Sequence, residues 1–430
     1  MLEMISKYVF KRIGSLAKDR PFEVVFADGM VLRNSDAPPL FRIIYTSRKG
    51  YLYTLLFQGY GLAEAYIKGY LDIEGDIRAL VLMQGRIDTL PQTPLLFKSS
   101  YLKPMDLNRI RNYWHEFRFS NRDRAQAKKN AHFHYNRGTE MFRQYLDETM
   151  TYTCAYWKDG TTSLDQAQKD KVDHTLKKLL LKPGETLVDM GSGWGSVLFR
   201  AYESYGAIGT NVSPTPDQNS AMQKEIERRG LVGKVKIKEL DFREDTEVYD
   251  KYISLGVYEH AGYGQLEAWV EAMARSLKDG GIGVLHFIGT IDRDREKTGV
   301  FIRKFVFPGG YLPGLAQTIE LMDKHGLEVL DIENLRRHYV KTLAAWAENF
   351  DNNWEKIHAL DPATYDETFR RQWRFYLWSC SAVFELESLD LGLFQITFSK
   401  GKTTAYPMTR DFLYEKSEAI RSSGAEGDMD

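Results

Sequence analysis

The chain has 430 residues, of which 43% are hydrophobic and 27% are charged, a balance typical of a globular protein with two or three domains. Its formal net charge of -1 argues against nucleic acid as a partner, and no stretch reaches the roughly 20 apolar residues of a membrane span. Cys154 and Cys380 are the only cysteines, so we expect no disulfide framework and a reducing, cytoplasmic location. The N-terminus lacks the apolar core of a signal peptide.

Residues 1–95 are predicted to form a small α+β domain. Apolar residues recur at helical spacing from Leu2 to Leu16, and basic residues occupy the rest of that helix. Such a helix lies on an anionic membrane or packs on its own domain, and the sequence leaves both possibilities open. Residues 20–31 alternate like a strand, and a second helix is predicted to begin at residue 62 and to continue past Asp72.

A basic helical linker is predicted over residues 96–135. Aromatic side chains are interleaved with its basic residues, which include Arg109, Arg111, Arg118, Arg122, Arg124, Lys128 and Lys129. Two interpretations stay open. The segment is a solvated linker, or it meets lipid headgroups, where each basic residue contributes about 1 kcal/mol near an anionic surface.

Residues 136–415 have the pattern of a doubly wound α/β sheet. Strands are predicted at 186–190, 207–212, 235–238, 252–255, 282–288, 327–332 and 394–398, and they alternate with helices through about residue 290. An aromatic-rich helical stretch at 339–384 would cover one side of the sheet and create a deep apolar pocket. Residues 416–430 are predicted to be a disordered tail.

The most informative segment, residues 187–195, is an apolar run that ends in Asp189 and breaks into three glycines. A strand, a tight turn and a helix start are predicted here, because glycines let a backbone bend sharply and approach a ligand closely. The segment lacks the lysine of a P-loop, and its G-x-G-x-G spacing differs from the dinucleotide fingerprint. The acidic residue favours an amine-bearing ligand, which indicates S-adenosylmethionine. A simple strand-to-helix turn is the alternative.

Six segments, taken in order, resemble those of cyclopropane fatty-acid synthases and mycolic-acid methyltransferases. They are residues 152–157, 189–195, 258–262, 285–289, 307–310 and 338–339. The match is strong over residues 130–400, and residues 64–70 look like the helix motif of that family's N-terminal lipid-binding domain. The resemblance implies a Rossmann-like, seven-stranded class I methyltransferase sheet with a helical cover, preceded by a small α+β lipid-binding domain.

The resemblance also implies the reaction. A methylene passes from S-adenosylmethionine to the cis double bond of an unsaturated phospholipid acyl chain and closes a cyclopropane ring, with bound bicarbonate as base. No metal is implied, and a homodimer in peripheral contact with the inner face of an anionic membrane is expected. One alternative ends the same carbocation as a methyl- or methylene-branched chain, and another is a non-catalytic lipid-binding module.

By motif, the bicarbonate pocket is implied to contain Cys154, Glu259, His286, the backbone of Ile288, and Tyr339. Tyr339, His286 and the Ile288 amide would hold the anion, and Glu259 would accept its hydrogen. Plainer interpretations remain: His286 is a satisfied core histidine, or Cys154 is a small buried apolar group. Cys380 is expected to be structural or pocket-lining, because this mechanism needs no thiolate.

The residues implied to bind S-adenosylmethionine are Tyr152, Thr153, Asp189, Gly191, Gly193, Trp194, Gly195, Ser213, Thr215, Gln218, Asp241 and Phe242. The glycines and Asp189 would approach the methionine portion, and the segment around Ser213 would contact the ribose. Asp241 and Phe242 would meet the adenine by hydrogen bond and stacking. Tyr152 and Thr153 would close over the donor.

Overall fold

The computed structural model describes residues 1–89, 107–135, 137–262, 264–291, 299–386 and 389–414. The strands are β1 (Phe22–Val25), β2 (Val31–Arg33), β3 (Phe41–Tyr45), β4 (Leu71–Gly75), β5 (Thr186–Met190), β6 (Ile208–Val212), β7 (Val235–Lys238), β8 (Tyr249–Leu255), β9 (Leu277–Gly289), β10 (Leu327–Asn334) and β11 (Gly392–Lys400). The helices are α1 (Leu2–Leu16), α2 (Arg48–Ile67), α3 (Ile77–Thr89), α4 (Leu107–Arg118), α5 (Arg124–Tyr135), α6 (Thr139–Arg143), α7 (Leu164–Lys178), α8 (Ser196–Tyr205), α9 (Pro216–Arg228), α10 (Leu266–Ser276), α11 (Val300–Phe305), α12 (Leu315–Lys324), α13 (Arg336–Asn352), α14 (Trp354–Leu360), α15 (Glu367–Glu385) and α16 (Asp411–Tyr414). No helix within these ranges combines the length and apolar character that crossing a bilayer requires.

The larger sheet has seven strands in the order β10-β11-β9-β8-β5-β6-β7. β11 pairs antiparallel with both neighbours, and the strands from β9 to β7 are parallel. All seven predicted strands are present, because near-continuous apolar runs mark strands that are buried on both faces. Chain order reverses beside β5, so the carboxyl end of that strand opens onto the crevice where α/β sheets bind ligands.

The N-terminal region contains a second, four-stranded sheet in the order β2-β1-β3-β4, and here two predictions are wrong. Residues 20–31 are not one strand, because the chain turns between β1 and β2, with Gly29 at a φ of +84°. The helix predicted to pass Asp72 ends at Ile67. Gly69, at a φ of +68°, follows that helix end, and β4 then buries Leu71 and Ile73 on one face.

The helical cover over the sheet is formed by α13, α14 and α15, as the aromatic-rich sequence predicts. Its core includes Trp346 and Trp373, both fully buried. α15 also joins the two sheets: Phe375 packs in the N-terminal core, and Arg371 donates to the carbonyls of Tyr66 and Leu71 at 3.1 and 3.2 Å. The N-terminal unit is therefore fixed against the cover helices.

The predicted linker is not uniformly solvated. The buried side chain of Asn121 donates to the carbonyls of His260 and Gly309 at 2.8 and 3.1 Å, and His132 Nε2 lies 3.1 Å from the carbonyl of Pro214. These bonds attach α5 and the residues just before it to the seven-stranded unit, so the second half of the predicted linker is packed. The predictions for residues 90–106, for the side chains of Arg109 and Arg111, and for the tail lie outside the described residues.

Candidate active site

The glycine turn follows β5 at the centre of the large sheet. Gly193 has a φ of +59°, and a Cβ placed there would meet only Gln218 Nε2, 3.9 Å away, so the space beside it is open. Gly195 has a different reason to be glycine, because a Cβ would come within 2.7 Å of the Phe199 ring. The turn thus presents bare backbone to a pocket at Gly193 and packs against α8 at Gly195.

This pocket has a volume of about 130 Å³, and ten of the twelve predicted cofactor residues line it. The exceptions are Trp194 and Gly195. Trp194 is 7% exposed, its ring packs on Phe142 at a centroid distance of 5.1 Å, and its Nε1 donates to Thr139 at 3.3 Å. Trp194 therefore supports the turn from the core and does not face the pocket.

A chain of hydrogen bonds orients the side chains at the end of β6. The hydroxyls of Ser213 and Thr215 lie 2.6 Å apart, and Thr215 donates to Gln218 Oε1 at 2.9 Å. Because Oε1 of Gln218 accepts this bond, its Nε2 amide is directed to the open space beside Gly193. The arrangement provides a fixed N–H donor and hydroxyl groups for a polar ligand such as a ribose.

Asp189 and Lys171 are two buried ionisable residues that line the pocket. Burial raises the pKa of Asp189 to about 7, against the opposing effects of Ser192 and of the Lys171 charge, and its Oδ1 has no hydrogen-bond partner among the described residues. Burial also lowers the pKa of Lys171 to about 8, and its Nζ donates to Thr153 Oγ1 at 2.7 Å. Lys171 was not predicted as a site residue, because in the sequence it looks like an ordinary polar residue of a helix.

The opposite wall of the pocket is formed by Asp241 and Phe242. Both carboxylate oxygens of Asp241 are engaged by Arg243, at 2.6 and 2.7 Å, and these bonds lower the Asp241 pKa although burial opposes them. The Phe242 ring packs on Trp269 at a centroid distance of 4.3 Å. The ring and the carboxylate are thus held in place before any ligand binds.

A second, much larger cavity of about 1010 Å³ adjoins the first. All six predicted catalytic residues line it: Cys154, Glu259, His286, Ile288, Tyr339 and Cys380. They come from five separate parts of the chain, and the rest of the lining is mainly apolar, with contributions from α1, α2 and α3 of the N-terminal region. The cavity therefore suits a long apolar ligand that both sheets help to enclose.

Glu259 lies in a short 3-10 helix (Tyr258–Ala261) that follows β8. Its Oε1 accepts a hydrogen bond from the Ile288 amide at 2.5 Å, whereas its Oε2 is buried without a partner among the described residues. Burial raises the Glu259 pKa to about 7, with the Ile288 amide opposing. We expected that amide to hold the anion. It is instead directed at Glu259, because a buried carboxyl takes the nearest backbone donor.

The two thiols of the cavity remain protonated. Cys154 is 1% exposed, and burial raises its pKa far above the usual range, while burial raises the Cys380 pKa to about 12. Tyr339 likewise has a strongly raised pKa because it is buried. These groups offer hydrogen-bond donors and no anionic nucleophile.

The two cavities meet at five residues that line both: Tyr135, Tyr152, Thr153, Gly256 and His260. Tyr135 and His260 were not predicted as site residues. The Tyr135 hydroxyl lies 3.0 Å from His260 Nε2, and burial lowers the His260 pKa to about 4, so the ring is neutral at physiological pH. A group carried in the smaller pocket can contact an apolar ligand in the larger cavity only across this junction.

Comparisons with known proteins agree with this geometry. A family model described as mycolic acid cyclopropane synthetase matches residues 122–395. A "probable fatty acid methyltransferase" of Pseudomonas putida is 32% identical over 362 residues, which cover 82% of this chain and 86% of that protein. The cyclopropane-fatty-acyl-phospholipid synthase of Escherichia coli (strain K12) is 34% identical over 280 residues, which cover 64% of this chain and 70% of that protein.

A solved structure of the mycolic acid cyclopropane synthase CmaA1, complexed with SAH and CTAB, superposes with a TM-score of 0.59 at 28% identity. The superposition covers 64% of this chain and 98% of that chain. The strand order, the glycine turn and the extent of the sequence match lead to one conclusion. The chain belongs to the mycolic acid cyclopropane synthetase family and is an S-adenosylmethionine-dependent methyltransferase.

Proposed function

We propose that this enzyme converts the cis double bond of an unsaturated phospholipid acyl chain to a cyclopropane ring, with bicarbonate as the base. The observation that carries the proposal is the junction of the two cavities. One cavity holds the features of a cofactor site, and the other is apolar, large enough for an acyl chain and lined by all six candidate catalytic residues. The two relatives described above are named a fatty acid methyltransferase and a cyclopropane-fatty-acyl-phospholipid synthase, which supports this substrate class.

The residues present fit the cofactor. The unpartnered Asp189 Oδ1 matches an ammonium group, and the Gln218 amide and the open space at Gly193 match a ribose and a close backbone contact. S-adenosylmethionine, when bound, supplies an electrophilic methyl group that the alkene itself can attack. Catalysis by the protein then rests on alignment of the two partners, which can contribute about 7 kcal/mol or more.

The environment of the junction suits a cationic acyl chain. The rings of Tyr152, Phe307 and Tyr376 lie around it, and their faces attract a positive charge. The hydroxyls of Tyr152 and Tyr376 are 3.1 Å apart and form a hydrogen bond with each other, so they are poorly placed to attack the cation. The protonated thiols described above are also poor traps, which leaves loss of a proton as the favoured outcome.

The proposal also identifies the group that accepts the proton. Burial, together with the charges of Lys171 and Lys178, lowers the His286 pKa to about 3, so this ring is a weak base. Glu259 lines the same cavity, and its Oε2, which has no partner among the described residues, fits a hydroxyl-bearing anion such as bicarbonate. Bicarbonate, when bound, would supply the base at this site.

Turnover in bicarbonate-depleted buffer tests this assignment, with activity restored by added bicarbonate at constant pH. Activity that survives depletion would assign the base to Glu259. Lipid products separate the two reaction outcomes. Cyclopropane formation adds one CH₂ and gives ring-proton signals by NMR, whereas a methylene branch has the same mass and gives vinylidene signals. A methyl branch adds two further hydrogens.

We also propose that the enzyme docks on an anionic bilayer through α4, which packs beside α11 at the wall of the large cavity. Ile110, Tyr113, Trp114 and Phe117 are 53%, 71%, 62% and 75% exposed, and their spacing places them on one face of that helix. The exposed Arg118 follows directly. Aromatic side chains beside basic residues are typical of helices at a membrane interface.

α1 supports the same orientation. Leu2, Ile5, Val9 and Ile13 of its predicted apolar stripe line the large cavity, and Leu2 and Ile13 also pack against the N-terminal core that contains Phe10. Of the two initial interpretations of α1, packing on its own domain therefore accounts for these core contacts, and the part of the stripe that lines the cavity can contact an acyl chain. We propose that this chain passes from the bilayer along the stripe.

Vesicle sedimentation tests the docking surface. Trp114→Ser with Phe117→Ser should reduce binding to phosphatidylglycerol vesicles and leave S-adenosylmethionine affinity unchanged. Val232→Ser with Val248→Ser, which removes exposed apolar residues elsewhere, is the matched control. Normal sedimentation of the α4 variant would reject the surface. Light scattering of the same variant separates bilayer docking from a role of α4 in the proposed homodimer.

A further inference from the structure

A buried polar network lies behind His286 on the side away from the large cavity. His286 on β9 is paired across the sheet with Gln395 on β11, and each is 1% exposed. Gln395 Nε2 is 3.3 Å from His286 Nδ1 and 3.2 Å from Thr175 Oγ1, and its Oε1 is 2.5 Å from Lys178 Nζ. The candidate mechanism gives no role to Gln395, Thr175 or Lys178.

The orientation of the Gln395 amide follows from its neighbours. An ammonium group only donates, so the atom that faces Lys178 must be the carbonyl oxygen. The Thr175 hydroxyl already donates to a backbone carbonyl one turn earlier in α7, at 2.8 Å, so it accepts from the amide. Two independent contacts therefore direct the NH₂ group of Gln395 to His286.

That orientation decides the tautomer of His286. Nδ1 faces an N–H donor and must therefore be the bare, accepting nitrogen of the ring. In a neutral imidazole the hydrogen then resides on Nε2, at the opposite edge of the ring from Gln395. Because the ring lines the large cavity, Nε2–H is the group that a ligand there would meet.

The network is anchored at its far end by charge. Lys178 is fully buried and also contacts Glu333, which accepts a further hydrogen bond from His174 at 2.8 Å. Although burial opposes it, the His174 bond and the Lys178 charge lower the Glu333 pKa to about 2. Burial lowers the Lys178 pKa, and the charge and hydrogen bond of Glu333 oppose that shift, which favours a charged Nζ that donates toward Gln395.

We propose that Gln395 and Lys178 are positioning residues that hold His286 in its Nε2–H tautomer, so that the cavity presents a neutral hydrogen-bond donor to an oxyanion. The inference rests on the proposed function, which places the anion beside His286. It extends that function in one respect: His286 cannot itself accept the proton, because one ring nitrogen is occupied and the other is already protonated.

Gln395→Glu is the sharpest test. The carboxylate keeps the size of the amide and its contact with Lys178, but it presents an acceptor to His286, so the hydrogen should move to Nδ1. Two-bond ¹H–¹⁵N spectra of histidine-labelled enzyme, free of lipid, cofactor and bicarbonate, distinguish the two tautomers. His286→Asn identifies the signal among nine histidines.

We expect Nε2–H in the wild-type enzyme and Nδ1–H in Gln395→Glu, together with a loss of about 100-fold or more in kcat and unchanged S-adenosylmethionine affinity. Thr175→Val is the control. It removes one contact of the amide but keeps Lys178, so the wild-type tautomer should persist. If Gln395→Glu does not bind S-adenosylmethionine and is judged unfolded, Gln395→Leu removes the donor and should give mixed tautomers.

The outcomes separate this inference from the proposed function. An Nδ1–H signal in the wild-type enzyme, or Nε2–H that persists in the folded Gln395→Glu variant, overturns the role of Gln395 whatever the reaction. A tautomer that switches as expected supports the positioning role. If activity is then unchanged, the placement of the anion beside His286 is what fails.

Discussion

The pH dependence of S-adenosylmethionine binding is a direct consequence of the buried Asp189 carboxyl. Its pKa is about 7 in the free enzyme, and an ammonium group on the ligand would pair with the ionised form only. At about pH 6 roughly a tenth of Asp189 is ionised, against about half at pH 7, so the apparent affinity should be about fivefold weaker at pH 6 than at pH 7, a difference of about 1 kcal/mol. Binding at the lower pH should release about one proton.

Calorimetry in two buffers with different ionisation enthalpies measures this proton count directly. The affinity should fall again above about pH 8, where the ligand amine loses the proton that pairs it with Asp189. Asp189→Asn should bind S-adenosylmethionine more weakly than the wild type at pH 8 and release no proton at pH 6. Its affinity should no longer decrease at low pH, but it should still decrease above about pH 8.

The raised Asp189 pKa also predicts how the folding stability of the free enzyme depends on pH. A raised carboxyl pKa means that the folded state holds a proton that the unfolded state has lost between about pH 4 and pH 7. The associated stability is present below that range and is lost as the pH rises through 7. Asp189→Asn should therefore be more stable than the wild type at pH 8 and similar at pH 4. Proton release that is absent at pH 6, or equal stability at pH 8, would refute the reasoning.

Three further predictions concern single positions. Gly193→Asn should abolish S-adenosylmethionine binding in calorimetry, whereas Gly230→Asn, also at a left-handed φ but with open space around it, should cost similar stability and leave binding intact. Glu259→Gln should lose most activity and retain donor binding, and a variant with full kcat would remove Glu259 from the reaction. Glu64→Gln should lower the free energy of unfolding at pH 7 by about 2 kcal/mol, because it breaks the 2.7 Å contact with Lys304 that joins the two units. The bonds from Lys304 and Lys68 lower the Glu64 pKa to about 2, although burial opposes them. The difference in free energy of unfolding between the wild type and the variant, measured by urea titration, should therefore decrease as the pH falls below about 4.5.

The large sheet could be predicted from the sequence because each buried strand is a local apolar run. The N-terminal region was harder. Residues 62–75 contain apolar positions that suit a helix at first and a strand later, and the change occurs at Gly69, whose φ of +68° no pattern of hydrophobicity reveals. α5 was assigned to a linker for a related reason. In the sequence it resembles a solvated helix, although Asn130 and His134 are buried in the structure.

The site was predictable where a residue type occurs in a recognisable motif, and not where its role depends on tertiary contacts. The Ile288 amide shows this limit, because its partner is set by the approach of Glu259 from another part of the sheet edge. Lys171 and Gln395 show it as well. In sequence they look like ordinary polar residues of a helix and a strand, and only the packing of α7 against β11 buries them.

The electrostatics of the two cavities link these residues to the chemistry. Burial raises the pKa values of Asp189 and Glu259 to about 7 and lowers those of His260 and His286 to about 4 and 3, so near pH 7 the histidines are neutral and the two carboxyls are only about half ionised. A wall of low charge permits an acyl chain to enter at low desolvation cost and offers a carbocation few anionic nucleophiles. Such a wall also lacks a strong base. We infer that the negative charge needed for proton removal must either enter with a small anion or be generated at Glu259, and the bicarbonate-depletion experiment distinguishes these two sources.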